Sequence, residues 1–207
     1  MRISLFHKAW MVLLFLSLAA PLSAAPEAFS LPGCLSDSGV KKVVFIIAQK
    51  DFRDEEYKIP SDMLKAKGAQ VKVASAARGE ASGMLGLRVN ADLALKEVTP
   101  NDYDAVVFVG GPGAQVFFND REAHRIARET ASKGKVLAAI CLAPSILARA
   151  GVLKGKKATV FESESATLTG AGARYTSSQV VQDGLVITAD GPEGAKKFGE
   201  LIVKALY

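Results

Sequence analysis

The sequence is poor in the residues from which metal sites and catalytic triads are usually built: 207 residues hold two histidines, two cysteines and one tryptophan. His7 lies close to the N-terminus, which leaves His124 as the sole histidine of the remaining chain. With Cys34, Cys141, His124 and scattered acids, no ligand spacing fits zinc, and no metal is expected. Two cysteines also exclude a disulfide scaffold. At most one bridge, Cys34 to Cys141, is available, and it would rest only on that count and on an oxidising compartment. Glycine (18) and proline (8) are too few for a fibrous or disordered chain. No basic run is interleaved with aromatics, so the net charge of +5 reads as an ordinary solvated surface and no nucleic-acid partner is expected. Beyond residue 25 no apolar stretch is long enough to span a bilayer.

The one long apolar run is at the start. Met1 to Lys8 carries Arg2 and Lys8 and no acid, Ala9 to Ala20 is apolar, Pro21 breaks the run, and Ser23-Ala24-Ala25 supplies small residues. That is the order of a secretory signal, with cleavage expected after Ala25 and Ala24 as the alternative. Loss of Arg2 and Lys8 leaves a mature charge of +3. Two competing readings are disfavoured. An uncleaved anchor would need a longer run, of about 20 residues. A lipoprotein box at Leu31-Pro32-Gly33-Cys34 lies too far beyond the apolar run and contains a proline. The protein is therefore expected to be exported, periplasmic or secreted, with no stable membrane insertion after cleavage. Residues 26–40, rich in Pro, Ser and Gly, read as a linker, and 41–207 as one domain. The 49% hydrophobic content is enough for a sizeable core.

Within the domain, apolar β-branched runs alternate with helical segments. Strands are expected at Val43–Ala48, Gln70–Ala74, Asp104–Val109, Lys135–Ile140, Ala158–Val160 and Leu185–Thr188, with a short one at Leu87–Asn90. Ala76–Gly86 reads as loop. Helices are expected from Asp54 to Lys67, stopped by Gly68; from an Asn119 or Asp120 cap to Ser132; from Pro144 to Ala150; and from Pro192 to about Ala205. The alternation implies an α/β fold with a mainly parallel sheet covered on both faces. Sites in such sheets gather beyond the carboxyl ends of the strands, here the loops after Ala48, Val109 and Ile140.

In Ala139-Ile140-Cys141-Leu142-Ala143 a cysteine follows a strand directly, precedes a helix directly, and has small residues two positions away on either side. A tight strand-to-helix turn needs small neighbours, the logic of the hydrolase nucleophile elbow. A cysteine there meets the positive end of the helix dipole and free backbone N–H groups, which favour a thiolate. The competing reading is a buried cysteine acting as a small hydrophobe. Gly110-Gly111-Pro112-Gly113, ending the preceding strand, weighs for chemistry, because glycines let backbone amides approach as an oxyanion hole. The cluster lacks the P-loop lysine and the dinucleotide spacing, so no cofactor is expected. Asp51, Asp54, Glu55 and Glu56 read as helix N-terminal charge, with room for one to turn toward Cys141.

Four segments together, FRDEEYKIP (52–60), DYDAVVFVGGPGAQ (102–115), VLAAICLAPSILARAGVLKGKKAT (136–159) and VVQDGLVITADGPEGAKKFGELIVKAL (180–206), resemble the ThiJ/PfpI superfamily across nearly all of residues 41–207. The resemblance implies a flavodoxin-like three-layer sandwich of the class I glutamine amidotransferase-like kind, often dimeric, with Cys141 as elbow cysteine. Glu56, four residues before Pro60, matches the family's glutamate, which tends to be protonated beside the sulfur. Gly111 matches the backbone oxyanion donor, with Leu142 as second donor and Gly110 beside them. The family's histidines are missing: Leu142 follows the cysteine, and Phe161 stands where one branch has its histidine. Glu162 and Glu164 are candidate substitutes at the mouth, although exposed loop acids are the favoured reading, and His124 reads as a surface helix residue. The implied functions are cysteine-dependent chemistry on a small reactive carbonyl, or hydrolysis of a peptide or amide. The alternative is a redox-responsive protective or chaperone-like protein whose Cys141 is oxidised rather than catalytic. The expected partner is a small-molecule or protein substrate.

Overall fold

The computed structural model describes residues 39–207. The expected signal segment, most of the expected linker and Cys34 lie outside these residues. In chain order the elements are β1 (Lys42–Ile46), β2 (Lys50–Phe52), α1 (Asp54–Ala66), β3 (Gln70–Ser75), β4 (Gly79–Gly83), β5 (Arg88–Ala91), β6 (Leu93–Ala94) and β7 (Ala105–Phe108). Then follow α2 (Arg121–Ser132), β8 (Val136–Ile140), α3 (Pro144–Arg149), β9 (Lys157–Ala158), α4 (Ser165–Gly170), β10 (Arg174–Tyr175), β11 (Val180–Asp183), β12 (Val186–Ala189) and α5 (Ala195–Leu206).

The main sheet runs β11-β12-β8-β7-β1-β3-β6. Every pairing in it is parallel except β11 with β12. Every residue of β7 and β8 is buried. Successive strand residues point to opposite faces, so both faces of the sheet centre are covered. α1 packs on α5, and α2 on α3, which also touches α4. This is the three-layer, mainly parallel, flavodoxin-like α/β architecture expected.

The helix signals act as read. Asp120 caps α2 by accepting the Ala123 N–H at 2.8 Å, and Pro144 takes the first turn of α3. Gly68, at φ +82°, ends α1 in a left-handed turn. The structure corrects the loop assigned to Ala76–Gly86: β4 lies inside it and pairs antiparallel with β5, and a parallel bridge joins β4 to β2 in a small second sheet. Gly79-Glu80-Ala81-Ser82-Gly83 has no β-branched residue, so the pairing rests on the backbone and on an anchor from α1. Edge strand β11 and the short helix α4 carry little apolar pattern and were likewise absent from the sequence expectation. The segment opening at Pro192 begins as a 3₁₀ turn, with α5 proper starting at Ala195.

Candidate active site

The ends of β1, β7 and β8 bring three loops together. Cys141, directly after β8, has φ +61°, a left-handed conformation uncommon outside glycine. Such strain persists only where the surroundings hold it. Here the Cys141 N–H donates to the Ala189 carbonyl at 2.9 Å, and the Cys141 carbonyl accepts from the Phe161 N–H at 2.9 Å. Ala139 and Ala143, two residues away on either side, are completely buried, which is why the turn takes small residues there.

The glycine loop after β7 has three positions that admit no side chain, Gly110, Gly111 and Gly113. A Cβ on Gly110 would stand 2.6 Å from the Cys141 Cβ and 2.6 Å from Glu56 Oε2. A Cβ on Gly111 would stand 2.5 Å from the Arg53 nitrogen, and its φ is +92°. The close approach has a consequence at the sulfur: the nearby backbone N–H groups of Gly111 and Leu142 pull its pKa down.

Glu56, one turn into α1, is the acid that turns inward. It is fully buried. Its Oε2 accepts the Gly110 N–H at 3.1 Å, and the carboxyl and the Cys141 sulfur share this corner, each shifting the other's titration. Oε1 is buried with no hydrogen-bond partner among the described residues. Burial in this setting pushes the carboxyl up to about 8, against the pull of its Cys141 and Gly110 hydrogen bonds. The thiol is pushed up to about 12 by burial first and then by the charge of an ionised Glu56. That second push operates only when Glu56 is ionised. A protonated Glu56 carries no charge and donates to the sulfur. The two groups therefore titrate as a pair: the Gly111 and Leu142 N–H groups favour a charge on the sulfur, while burial of the thiol and the Gly110 N–H favour it on Glu56.

The other acids of the first loop serve elsewhere. Asp54 accepts the Leu85 and Leu87 N–H groups at 2.9 and 2.7 Å and so anchors the β4–β5 hairpin to the start of α1. Glu55 pairs with Arg53, and Asp51 is exposed.

Cys141 and Glu56 line a cleft of about 360 Å³ together with Gly111, Leu142 and Phe161. The hairpin contributes Met84, the turn after β12 contributes Pro192 and Glu193, and Arg53 completes the wall. Those four were missed in the sequence. Pro192 and Glu193 follow a strand's carboxyl end and were open to the same rule that marked the other loops. Met84 was hidden in the stretch read as loop. Phe161, 46% exposed, separates this cleft from a neighbouring one of about 550 Å³ that Glu162 lines. Glu162 thus sits next door rather than on the cysteine's cleft. Glu164 is also set apart from Cys141: its Oε2 accepts from Ser145 Oγ at 2.9 Å and Thr167 Oγ1 at 2.8 Å. His124 bonds the Phe118 carbonyl at 2.8 Å from within α2. Among the described residues Cys141 forms no disulfide, no group of three or more His, Cys, Asp or Glu is placed to hold a metal, and no helix is long and apolar enough to cross a membrane.

A flavodoxin-like sheet with a cysteine in the tight turn after a central parallel strand defines a class of α/β proteins. Within it, the chain belongs to the DJ-1/PfpI family, whose family model matches residues 41–205. An uncharacterised protein of Methanocaldococcus jannaschii is 43% identical over 183 residues, covering 84% of this chain and 89% of that one. A protein of Pyrococcus abyssi named a deglycase is 37% identical over 149 residues, covering 72% and 90%. Among solved structures, the ThiJ/PfpI domain protein of Brachyspira murdochii superposes with a TM-score of 0.79 at 31% identity, covering 81% and 98%. DJ-1beta of Drosophila melanogaster gives 0.75 at 30%, covering 81% and 91%.

Proposed function

We propose that this protein is a cysteine-dependent enzyme acting on small reactive carbonyl compounds, with Cys141 as nucleophile and Glu56 as the proton carrier. The observation that carries this reading is Cys141 held in a left-handed elbow on the cleft, packed through Gly110 against the buried Glu56 carboxyl and flanked by the Gly111 and Leu142 amides. A relative named a deglycase is consistent with it.

For a 2-oxoaldehyde the steps balance with water as the only co-reactant. The Cys141 sulfur adds to the aldehyde carbon, and the Glu56 proton passes to the former carbonyl oxygen, giving a hemithioacetal. Glu56, now a carboxylate, moves the hydrogen of that carbon to its neighbour while the hydroxyl proton passes to the former ketone oxygen, which leaves a thioester of a 2-hydroxy acid. Water cleaves the thioester, releasing the 2-hydroxy acid and restoring the thiol. Glu56 serves as both acid and base, a role that needs a pKa near the working pH; a value of about 8 suits it. Peptide hydrolysis fits less well, because the cleft offers no histidine to protonate a leaving amine.

The test is formation of lactate from methylglyoxal. Cys141→Ser should abolish it and Glu56→Gln should lower it about 10²- to 10⁴-fold. Turnover unchanged in Cys141→Ser would overturn the reading.

A second reading shares the same geometry. An oxygen added to the sulfur by peroxide would be held by the same N–H donors and by a protonated Glu56. Selective addition of oxygen at Cys141 under mild peroxide, without turnover of methylglyoxal, would favour that protective role. Export from the cytoplasm stands as part of the proposal and rests on residues 1–25 alone.

A further inference from the structure

Arg53 is the one cation on the wall of the cysteine's cleft among the described residues, and its place is built rather than incidental. Its backbone N–H donates to the Gly110 carbonyl at 3.1 Å, which ties it to the glycine loop. Its guanidinium is held along one edge by Glu55, Nε to Oε2 at 2.9 Å and Nη2 to Oε1 at 3.3 Å. The remaining arm, Nη1, has only the Met84 sulfur, at 3.8 Å. A thioether is a weak acceptor. The side chain is thus oriented by one carboxylate, with a donor edge turned to the cleft and poorly satisfied there. A two-point guanidinium hold of this kind fixes direction as well as charge.

We infer that Arg53 is the specificity-determining residue of this cleft, and that its free edge receives a carboxylate borne by the carbonyl compound that Cys141 attacks. This deepens the proposed function and rests on it for the word "substrate". The expected ligands carry a single negative charge. Glu193 lies on the same cleft and Glu55 already offsets much of the guanidinium charge, so attraction comes from directed hydrogen bonds, and a dianion such as a phosphate ester would meet more repulsion than one arm offsets. The volume of about 360 Å³ suits a molecule of a few carbons.

Two alkylating agents of nearly equal size, anionic iodoacetate and neutral iodoacetamide, read this directly. Both transfer a two-carbon group to the Cys141 sulfur with loss of iodide. The ratio of their rate constants, followed by intact mass, should fall about tenfold in Arg53→Gln, the loss expected for one hydrogen bond to a charged group. Arg53→Lys should recover part of it. Salt should erode the ratio in the native protein and not in Arg53→Gln. The same ratio in all three proteins would overturn the inference.

A second measurement needs no reactive thiol. Glyoxylate titrated by NMR into Cys141→Ser should bind saturably and about tenfold more tightly than into Cys141→Ser with Arg53→Gln. Equal binding, or none, would overturn the inference. A Cys141 inert to both alkylating agents would instead sink the proposed chemistry, while the glyoxylate titration would still decide the role of Arg53.

Discussion

The Glu56 carboxyl and the Cys141 thiol share one buried corner of the fold, and neither titrates there as it would in water. Helix α1 delivers the first and the turn after β8 delivers the second. Gly110, whose N–H donates to Glu56, lies between them with no room for a side chain. The corner costs stability and supplies chemistry, and the predictions below separate the two.

Stability should decline with pH because of this pair. The Glu56 carboxyl is raised from 4.5 to about 8 in the folded protein, so above 4.5 the unfolded chain has released a proton that the folded one retains. Stability is then fullest below 4.5 and falls as pH rises until the folded carboxyl releases its proton at about 8, and the thiol, raised from 9.0 to about 12, adds a further fall above 9.0. Urea unfolding at pH 5 and pH 8 should show this fall in the native protein and a smaller one in Glu56→Gln.

Gly110→Ala should damage both fold and site. The added methyl would meet the Cys141 Cβ and Glu56 Oε2 at 2.6 Å and the Ile140 carbonyl at 2.7 Å. Overpacking of this sort costs about 1–3 kcal/mol. A lowered Tm, together with slower Cys141 alkylation in the fraction still folded, is the expected outcome. Unchanged Tm would mean that the loop has slack the structure does not show.

Asp54→Ala should release the β4–β5 hairpin. It removes two hydrogen bonds that a buried carboxylate accepts from the Leu85 and Leu87 N–H groups, of which each is worth about 1.5–3 kcal/mol. Amide exchange should speed up at residues 83–91 and leave β7 and β8 protected. Because Met84 lines the cleft, selectivity between substrates should change as well.

Secretion of the full chain should yield a mature protein whose intact mass starts at Pro26, or at Ala25 if cleavage follows Ala24. A retained N-terminus would contradict export by a cleaved signal.

The parallel sheet was legible because its central strands are continuous apolar runs, and α1 to α3 because Gly68, Asp120 and Pro144 are strong boundary signals. The β4–β5 hairpin was not, since Gly79 to Gly83 has no alternation and its hold comes from Asp54, which is distant in sequence. At the site, Cys141 and the glycine loop stood out by position, and Glu56 only through the family resemblance. Which of the three acids in the first turn of α1 turns inward is a matter of helical phase: Asp54 meets the hairpin, Glu55 meets Arg53, and Glu56 meets the corner that holds the sulfur. Arg53 gave no signal, because its role depends on Glu55 and Gly110 together.

The central claim of the proposed function is that Glu56 keeps the proton while Cys141 reacts as a thiolate, the Gly111 and Leu142 N–H groups outweighing the burial that pushes the thiol up. The pH dependence of Cys141 alkylation by iodoacetamide, in the native protein and in Glu56→Gln, tests it most directly. The account predicts rapid alkylation at neutral pH with a midpoint below the ordinary thiol value of about 8.5, and an upward shift in Glu56→Gln as the carboxyl's O–H donor is lost. Slow alkylation with a midpoint at or above about 8.5, indifferent to Glu56→Gln, would contradict it and leave Cys141 as a buried, inert thiol.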